Sequence, residues 1–324
     1  MNPTDPRDTD QRPDDDRAII TPAVTWLGTG RMGEAMLQRL LAGGIQARVW
    51  NRTPDKLAGL LASGATHLAS PALSDAPVAF SMVLDDTALD ALWQAEDGIL
   101  SGSRPPQIWA DCSTVSPRAS RRAAEAAAAR GTAFVCAPVS GNPSVVRAGN
   151  LIFAVSGPPA AIAAIQPLLD IIGRGTHVVG EAHQARVVKL CVNLVLAVLA
   201  QALAEALVLG QTEGVRRADL MNFINDSAIG SPFTRYKTEA YVALDLKPAF
   251  TAEGQRKDLR LALQLAAEHE LPLPQASATE VQFSRLIASG LGQGRDFASL
   301  ILLAARDARL AIEPEHAHGG TPET

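Results

Sequence analysis

Three cysteines in 324 residues, Cys112, Cys136 and Cys191, are odd in number, widely spaced and set among apolar neighbours. They offer neither a disulfide framework nor a zinc spacing. Six histidines form no metal-ligand cluster, so no metal site is expected. Long hydrophobic runs are missing too. The apolar stretch 194–200 is closed by Asn193 and Gln201 after seven residues, where a membrane span needs about 20. The amino terminus has no apolar run of the kind a secretory signal needs and no Arg-rich, acid-poor transit segment, which leaves a reducing cytoplasm as the expected location. Nor does one sign of charge dominate: of the net −5, residues 1–17 supply six aspartates against three arginines, and the remainder is nearly neutral. Neither nucleic acid nor an anionic membrane is an implied partner. Residues 1–19 and 313–324 are expected to be disordered tails.

What is present begins with residues 184–215, QARVVKLCVNLVLAVLAQALAEALVLGQTEGV, free of internal proline, rich in Ala and Leu, and first interrupted by Gly210. The composition predicts one long helix. Apolar residues occupy every face over 194–200, so protein is expected to cover it on most sides. Near its start Lys189 and Asn193 lie four residues apart and therefore emerge on the same face. A single lysine at a helix end is more often one that lays its stem along apolar surface; the paired amide makes this a candidate site.

Residues 23–27 form a short apolar run that leads into Gly28-Thr29-Gly30-Arg31-Met32-Gly33 and a helical segment ending at Ala42. Strand, glycine turn and helix in that order predict a dinucleotide site. The first glycine makes the turn, the second admits a pyrophosphate, the third lets helix pack on strand, and the helix amino end offers free N–H groups. A second strand, 47–50, ends in Asn51-Arg52-Thr53 where a ribose-reading carboxylate would stand for NAD. Arg52 can pair with a 2′-phosphate, and Asn51 and Thr53 can hydrogen-bond it, so NADP is the expected cofactor, with NAD the alternative. Thr53 also stands as a helix cap before Pro54.

Strands are further predicted at 78–84, 107–110, 132–136, 151–155 and 176–179, alternating with helices at 87–93, 117–130 and 158–169. That alternation is the pattern of a doubly wound sheet, whose ligands sit at the carboxyl ends of the strands, where the loops at Gly28, Asn51, Leu84, Ser113 and Ser140 converge. Beyond Gly210 the strand signals stop, and helices are predicted at 217–226, 232–242, 252–268, 275–288 and 296–311. The chain therefore divides into a dinucleotide-binding unit, 20–182, and an all-helical unit, 183–312, that opens with the long helix.

Several separated motifs agree in order and spacing: LGTGRMGEAM at 27–36, NRTPDK at 51–56, DCSTVSP at 111–117, APVSGN at 137–142, KLCVN at 189–193 and RKDLRLAL at 256–263. Together they resemble the β-hydroxyacid dehydrogenases of the 3-hydroxyisobutyrate dehydrogenase type. The resemblance implies an α/β fold with an N-terminal doubly wound Rossmann-type domain, a long interdomain helix and an all-α C-terminal domain, assembled as a homodimer or higher homo-oligomer. It implies Lys189 as catalytic lysine, Asn193 as its substrate-holding partner, and Ser140 and Gly141 as the seat of a small substrate's carboxylate. Leu84, Asp85 and Thr114 fall at the nicotinamide half of the cofactor site, and Lys257 at a cofactor-clamping lysine. Phe233 and Tyr236 fall near the substrate pocket. Departures from the family pattern are His183 and Ala185 in place of two glycines, Asn142-Pro143 after Ser140-Gly141 in place of a second glycine, and Arg39 in place of asparagine. Asn142 and Pro143 crowd the substrate loop, and His183 either lines the site or caps the helix start. An imine reductase, which generally has aspartate or tyrosine at the lysine position, and a non-catalytic dinucleotide sensor are the competing readings; Lys189 argues against the first, and Ser140 with Lys189 against the second. A 6-phosphogluconate dehydrogenase would need a larger helical domain.

Overall fold

The computed structural model describes residues 23–316. The tail expected at 1–19 lies outside the described residues, as do the last eight residues of the tail expected at 313–324. Strands β1 (Val24–Leu27), β2 (Ala47–Trp50), β3 (Thr66–His67), β4 (Val78–Ser81), β5 (Ile108–Asp111) and β6 (Ala133–Cys136) pair in parallel in the order 3-2-1-4-5-6. Every residue of β1, β4 and β5 is buried, as a parallel sheet covered on both faces requires. Alternate side chains feed two cores. Trp26 stacks on Phe80 at 5.4 Å on one face, and Trp109 meets Phe134 edge-on at 5.0 Å on the other. The sheet continues through β7 (Val139–Ser140) and β8 (Leu151–Ser156), where β8 runs antiparallel to β6 and β7, and ends in β9 (Gly173–Gly180), parallel to β8.

Helices α1 (Arg31–Ala42), α2 (Ala58–Ala62), α3 (Asp86–Gln94), α4 (Pro117–Ala128), α5 (Pro143–Arg147) and α6 (Pro159–Ile172) connect the strands. Arg39 on α1 donates through Nε and Nη2 to the Ile171 carbonyl oxygen at 3.2 and 3.0 Å, tying α1 to the end of α6. This occupies the position where the family pattern has asparagine. Thr53, expected to cap by its side chain, precedes a 3-10 turn at Pro54–Leu57 and makes no side-chain cap.

α7 (Gln184–Thr212) is one unbroken helix of 29 residues that passes through Gly210 and ends before Gly214, whose φ of 80° makes the turn. Around it pack α8 (Arg217–Asp226), α9 (Pro232–Val242), α10 (Ala252–Glu268), α11 (Pro274–Ala288) and α12 (Leu300–Asp307). Buried positions Ala197, Ala200, Ala204, Leu207 and Val208 follow helical spacing, so only one face of α7 enters this core. The expectation of a helix covered on most sides is corrected. Val188, Val192, Val195 and Leu209 are exposed, because the remaining helices pack on the opposite face. Cys191, on the same helix, is likewise exposed. By length and composition α7 is apolar enough to cross a membrane, yet it carries the buried Arg186 and Asn193 and joins the core on the Trp109 face of the sheet, through Ala185, to the helical core.

The final helix expected at 296–311 is shorter. The Asp296 side chain caps a 3-10 turn at Phe297–Ser299, which leads into α12. Residues 313–316 are held instead of trailing. The buried Arg217 side chain donates to the carbonyl oxygens of Tyr241, Val242 and Glu313, and Glu315 accepts from the Ala218 N–H at 3.0 Å.

Candidate active site

The parallel strands β1, β4 and β5 release their loops at one edge of the sheet, and the glycine turn stands first there. Gly28 has φ 93°, and a Cβ would overlap the Met82 carbonyl oxygen; one on Gly33 would overlap the Gly28 carbonyl. Gly30 differs, since nothing stands within 4 Å of where its Cβ would be. The first turn of α1 has no side-chain cap, and Thr29 Oγ1 is buried without a hydrogen-bond partner. Free amides at a positive helix end, an open space before glycine and an unsatisfied hydroxyl fit a dinucleotide pyrophosphate. Met32 packs on the core below the turn.

Asn51 is committed to shaping this turn. Its Oδ1 accepts from the Thr29 N–H at 3.1 Å and its Nδ2 donates to the Thr53 carbonyl at 2.8 Å, whereas Arg52 and Thr53 are exposed. Arg31 bridges to the helical half, donating to the Pro248 carbonyl at 2.5 Å.

On α7 the Lys189 ammonium donates to Asn193 Oδ1 at 2.9 Å. Asn193 is buried, and its Nδ2 donates to Asp258 Oδ2 on α10 at 2.5 Å while its carbonyl accepts from Gln255 Nε2 at 2.6 Å. Lys257 completes the row. It sits 2.7 Å from Asp258 Oδ1 and donates to the Thr114 carbonyl at 2.6 Å, reaching from α10 to the loop after β5. Burial lowers the Lys189 pKa to about 8 and Lys257 pushes the same way, against the attraction of Asp258. The lysine is thus half-buried, oriented by an amide, and close to changing charge at neutral pH.

Other expected site residues have structural partners of their own. Asp85 caps α3, accepting from the Ala88 N–H at 2.9 Å, while Leu84 beside it is 72% exposed. Ser140 and Gly141 are exposed at the end of β7, with Gly141 at φ 145°. Asn142 Oδ1 caps the short α5, accepting from the N–H groups of Ser144 and Val145, which leaves only its amide nitrogen for a ligand. The departure Asn142-Pro143 thereby becomes intelligible as a cap followed by proline at the first helical position. Phe233 is buried in the helical core, stacked on Phe297 at 6.0 Å, and Tyr236 is the exposed ring of that cluster. His183 is not a side-chain cap; its Nε2 lies 3.5 Å from Arg121 Nη1. A cavity of about 450 Å³ opens between Arg31, Glu34, Gln38, Asn142, Arg147 and Pro248, beside the loop after β7 and without Lys189 in its wall.

Two matches to known families divide the chain. Residues 23–192 match the NAD binding domain of 6-phosphogluconate dehydrogenase, and residues 184–304 the NAD-binding region of NADP-dependent 3-hydroxyisobutyrate dehydrogenase. A 3-hydroxyisobutyrate dehydrogenase of Pseudomonas aeruginosa is 32% identical over 287 residues, covering 86% of this chain and 96% of that protein. Glyoxylate/succinic semialdehyde reductase 1 of Arabidopsis thaliana is 31% identical over 280 residues, with the same coverage. The chain belongs to the β-hydroxyacid dehydrogenase family. The structure of Mycobacterium tuberculosis 3-hydroxyisobutyrate dehydrogenase with L-serine superposes with a TM-score of 0.78 at 26% identity, covering 88% of this chain and 99% of that one. A Streptomyces aurantiacus imine reductase shares the fold at a TM-score of 0.58 and 22% identity. This β-hydroxyacid dehydrogenase is thus an oxidoreductase that uses a nicotinamide dinucleotide on a small molecule, and among its described residues the expected Rossmann-type sheet, long helix and helical C-terminal part are all present.

Sequence reading missed two polar groups of the dehydrogenase. Asp258, beside Lys257, falls with Gln255, Leu259, Ala262 and Ala266 on the buried stripe of α10. Arg186 shares the buried stripe of α7 with Leu190, Asn193 and Ala197. A charge at a core position was the available signal in both cases.

Proposed function

We propose that the chain is an NADP-dependent dehydrogenase or reductase acting on 3-hydroxy acids and their semialdehyde or keto counterparts, with Lys189 as general acid and base. The observation that carries the reading is the row Lys189–Asn193–Asp258, in which a lysine with a pKa of about 8 is held by an amide that a buried carboxylate orients. The Arabidopsis and Pseudomonas relatives, by name a semialdehyde reductase and a hydroxyacid dehydrogenase, favour short substrates of this class. Bound NADPH supplies the hydride. The Lys189 ammonium donates a proton to the oxygen on which charge develops during reduction; in oxidation the neutral amine takes the proton back from the hydroxyl. Asn193 orients both the amine and the substrate oxygen. Ser140 and Gly141 take the carboxylate, with Asn142 and Phe233 as the neighbouring wall, and Leu84, Asp85, Thr114 and Lys257 flank the nicotinamide side. Preference for NADP rests on Arg52, a guanidinium exposed at the end of β2 that can pair with a 2′-phosphate.

The same reading places the domain boundary at 182/183, in keeping with separate hydrophobic cores in the sheet and in the helices. It pairs two copies through the exposed apolar face of α7, and it puts the protein in a reducing cytoplasm, where its three unpaired thiols are at home. The test is the initial rate with NADP and with NAD across a panel of 3-hydroxy acids, for the wild type and Lys189→Ala. Turnover that prefers NADP and collapses in the variant supports the assignment. Intact dinucleotide binding without turnover refutes it and moves the weight to imine reduction or sensing.

A further inference from the structure

Arg186 lies three residues before Lys189 on α7 and is 1% exposed. A guanidinium removed from water needs its donors placed. Here Nε donates to Ser120 Oγ at 2.8 Å, Nη1 to the Ser113 carbonyl at 2.5 Å, and Nη2 to the Asp111 carbonyl at 3.0 Å and to Asp111 Oδ2 at 2.5 Å. Asp111 accepts through its other oxygen from Ser81 and Ser113, at 2.5 and 2.7 Å. Ser113 Oγ also accepts from the Val83 N–H at 2.8 Å, and Ser81 Oγ from Trp109 Nε1 at 2.8 Å. One side chain on α7 therefore grips the loop after β5 directly and the loop after β4 through Ser113. Those loops carry Thr114 and Leu84.

Burying the first turns of α7 does not require a charge, because apolar side chains of similar volume bury a helix at least as well as an ion pair does. What a planar fork adds is direction. Resting on the dehydrogenase reading above, we propose that Arg186 is a positioning residue for the reaction: it sets the rotation and depth of α7 against the two loops, so that Lys189 meets the substrate oxygen on the nicotinamide side. The sensitivity follows from helix geometry. A rotation of about 10° moves an ammonium about 8 Å from the helix axis by more than about 1 Å, and misplacement on that scale costs about a hundredfold in rate. Among the described residues Lys189 itself has one hydrogen-bond partner, Asn193, on the same helix, so that bond cannot fix the helix relative to the sheet.

Arg186→Lys keeps a cation for Asp111 and gives up the fork. The expected result is a kcat about a hundredfold lower, with KM for substrate and dinucleotide within about threefold of wild type. The midpoint of the rise in oxidation rate with pH also moves upward as the ammonium regains water. Retained dinucleotide binding by titration shows that the protein is folded. A variant with wild-type kcat and pH midpoint overturns the proposal even if its melting temperature falls, since the arginine is then structural only. Should Arg186→Lys fail to fold, Ser120→Ala decides, because it removes one hydrogen bond and leaves the ion pair. A lowered kcat with the same displacement of the midpoint supports the role, and wild-type values overturn it. Absence of Lys189-dependent turnover in the wild type is a distinct result that overturns the functional reading and this proposal together.

Discussion

A lysine that titrates near pH 8 leaves a signature in the oxidation rate. With the Lys189 pKa at about 8, about 9% of the molecules hold the neutral amine at pH 7 and about 91% at pH 9, so kcat/KM for oxidation rises about tenfold over that interval and then levels off. A lysine with an ordinary pKa near 10.4 would rise about a hundredfold over the same interval and still be climbing at pH 10. In the reducing direction the ammonium is required, and the rate falls through the same midpoint. Asp258→Asn removes the charge that favours the ammonium, so the midpoint moves to lower pH; Lys257→Met removes the charge that opposes it, and the midpoint moves up. The assay is the initial rate of dinucleotide reduction from pH 6 to 10 for the three proteins. A flat profile, or shifts of equal sign in the two variants, would refute the assignment of the titrating group to Lys189.

Glycines of the turn separate stability from binding. Gly28→Ala, at φ 93° and against the Met82 carbonyl, should lower stability by about 1–3 kcal/mol, whereas Gly30→Ala, facing open space, should leave the melting temperature unchanged and weaken dinucleotide binding about tenfold or more; calorimetry and titration distinguish the two. Arg52→Ala should raise KM for NADP about tenfold and leave NAD unaffected, and equal loss for both dinucleotides argues against a 2′-phosphate contact. Truncation after 312 removes the Glu313 carbonyl and the Glu315 carboxylate from the buried Arg217 and should cost about 2–4 kcal/mol, read from denaturant midpoints. Val195→Asp, at a position 61% exposed, should leave the fold intact and shift the particle mass by light scattering from dimer to monomer; an unchanged mass places any interface elsewhere.

Local chemistry was enough for a great deal of this molecule. The turn at 28–33, strand β2 at 47–50 and helices α8, α9 and α10 fall where periodicity and capping residues put them, because each is decided by signals within its own segment. Motif order along the chain was enough for the family. The antiparallel return of β8 was not legible, since the short β7 and α5 that force it are built from single residues: Gly141 in a left-handed conformation and Asn142 as a cap. The exposed face of α7 was also beyond reach, because a sequence records how apolar a helix is and not how many neighbours come to cover it.

The site divides along the same line. Lys189 and Asn193 are one turn apart on a single helix, so the sequence alone determined that they meet. Asp258 is 65 residues from Asn193 and Asp111 is 75 from Arg186. Their pairing depends on α10 and the sheet both packing against α7, and only the tertiary structure decided which buried charge holds the Asn193 amide and which one holds the helix.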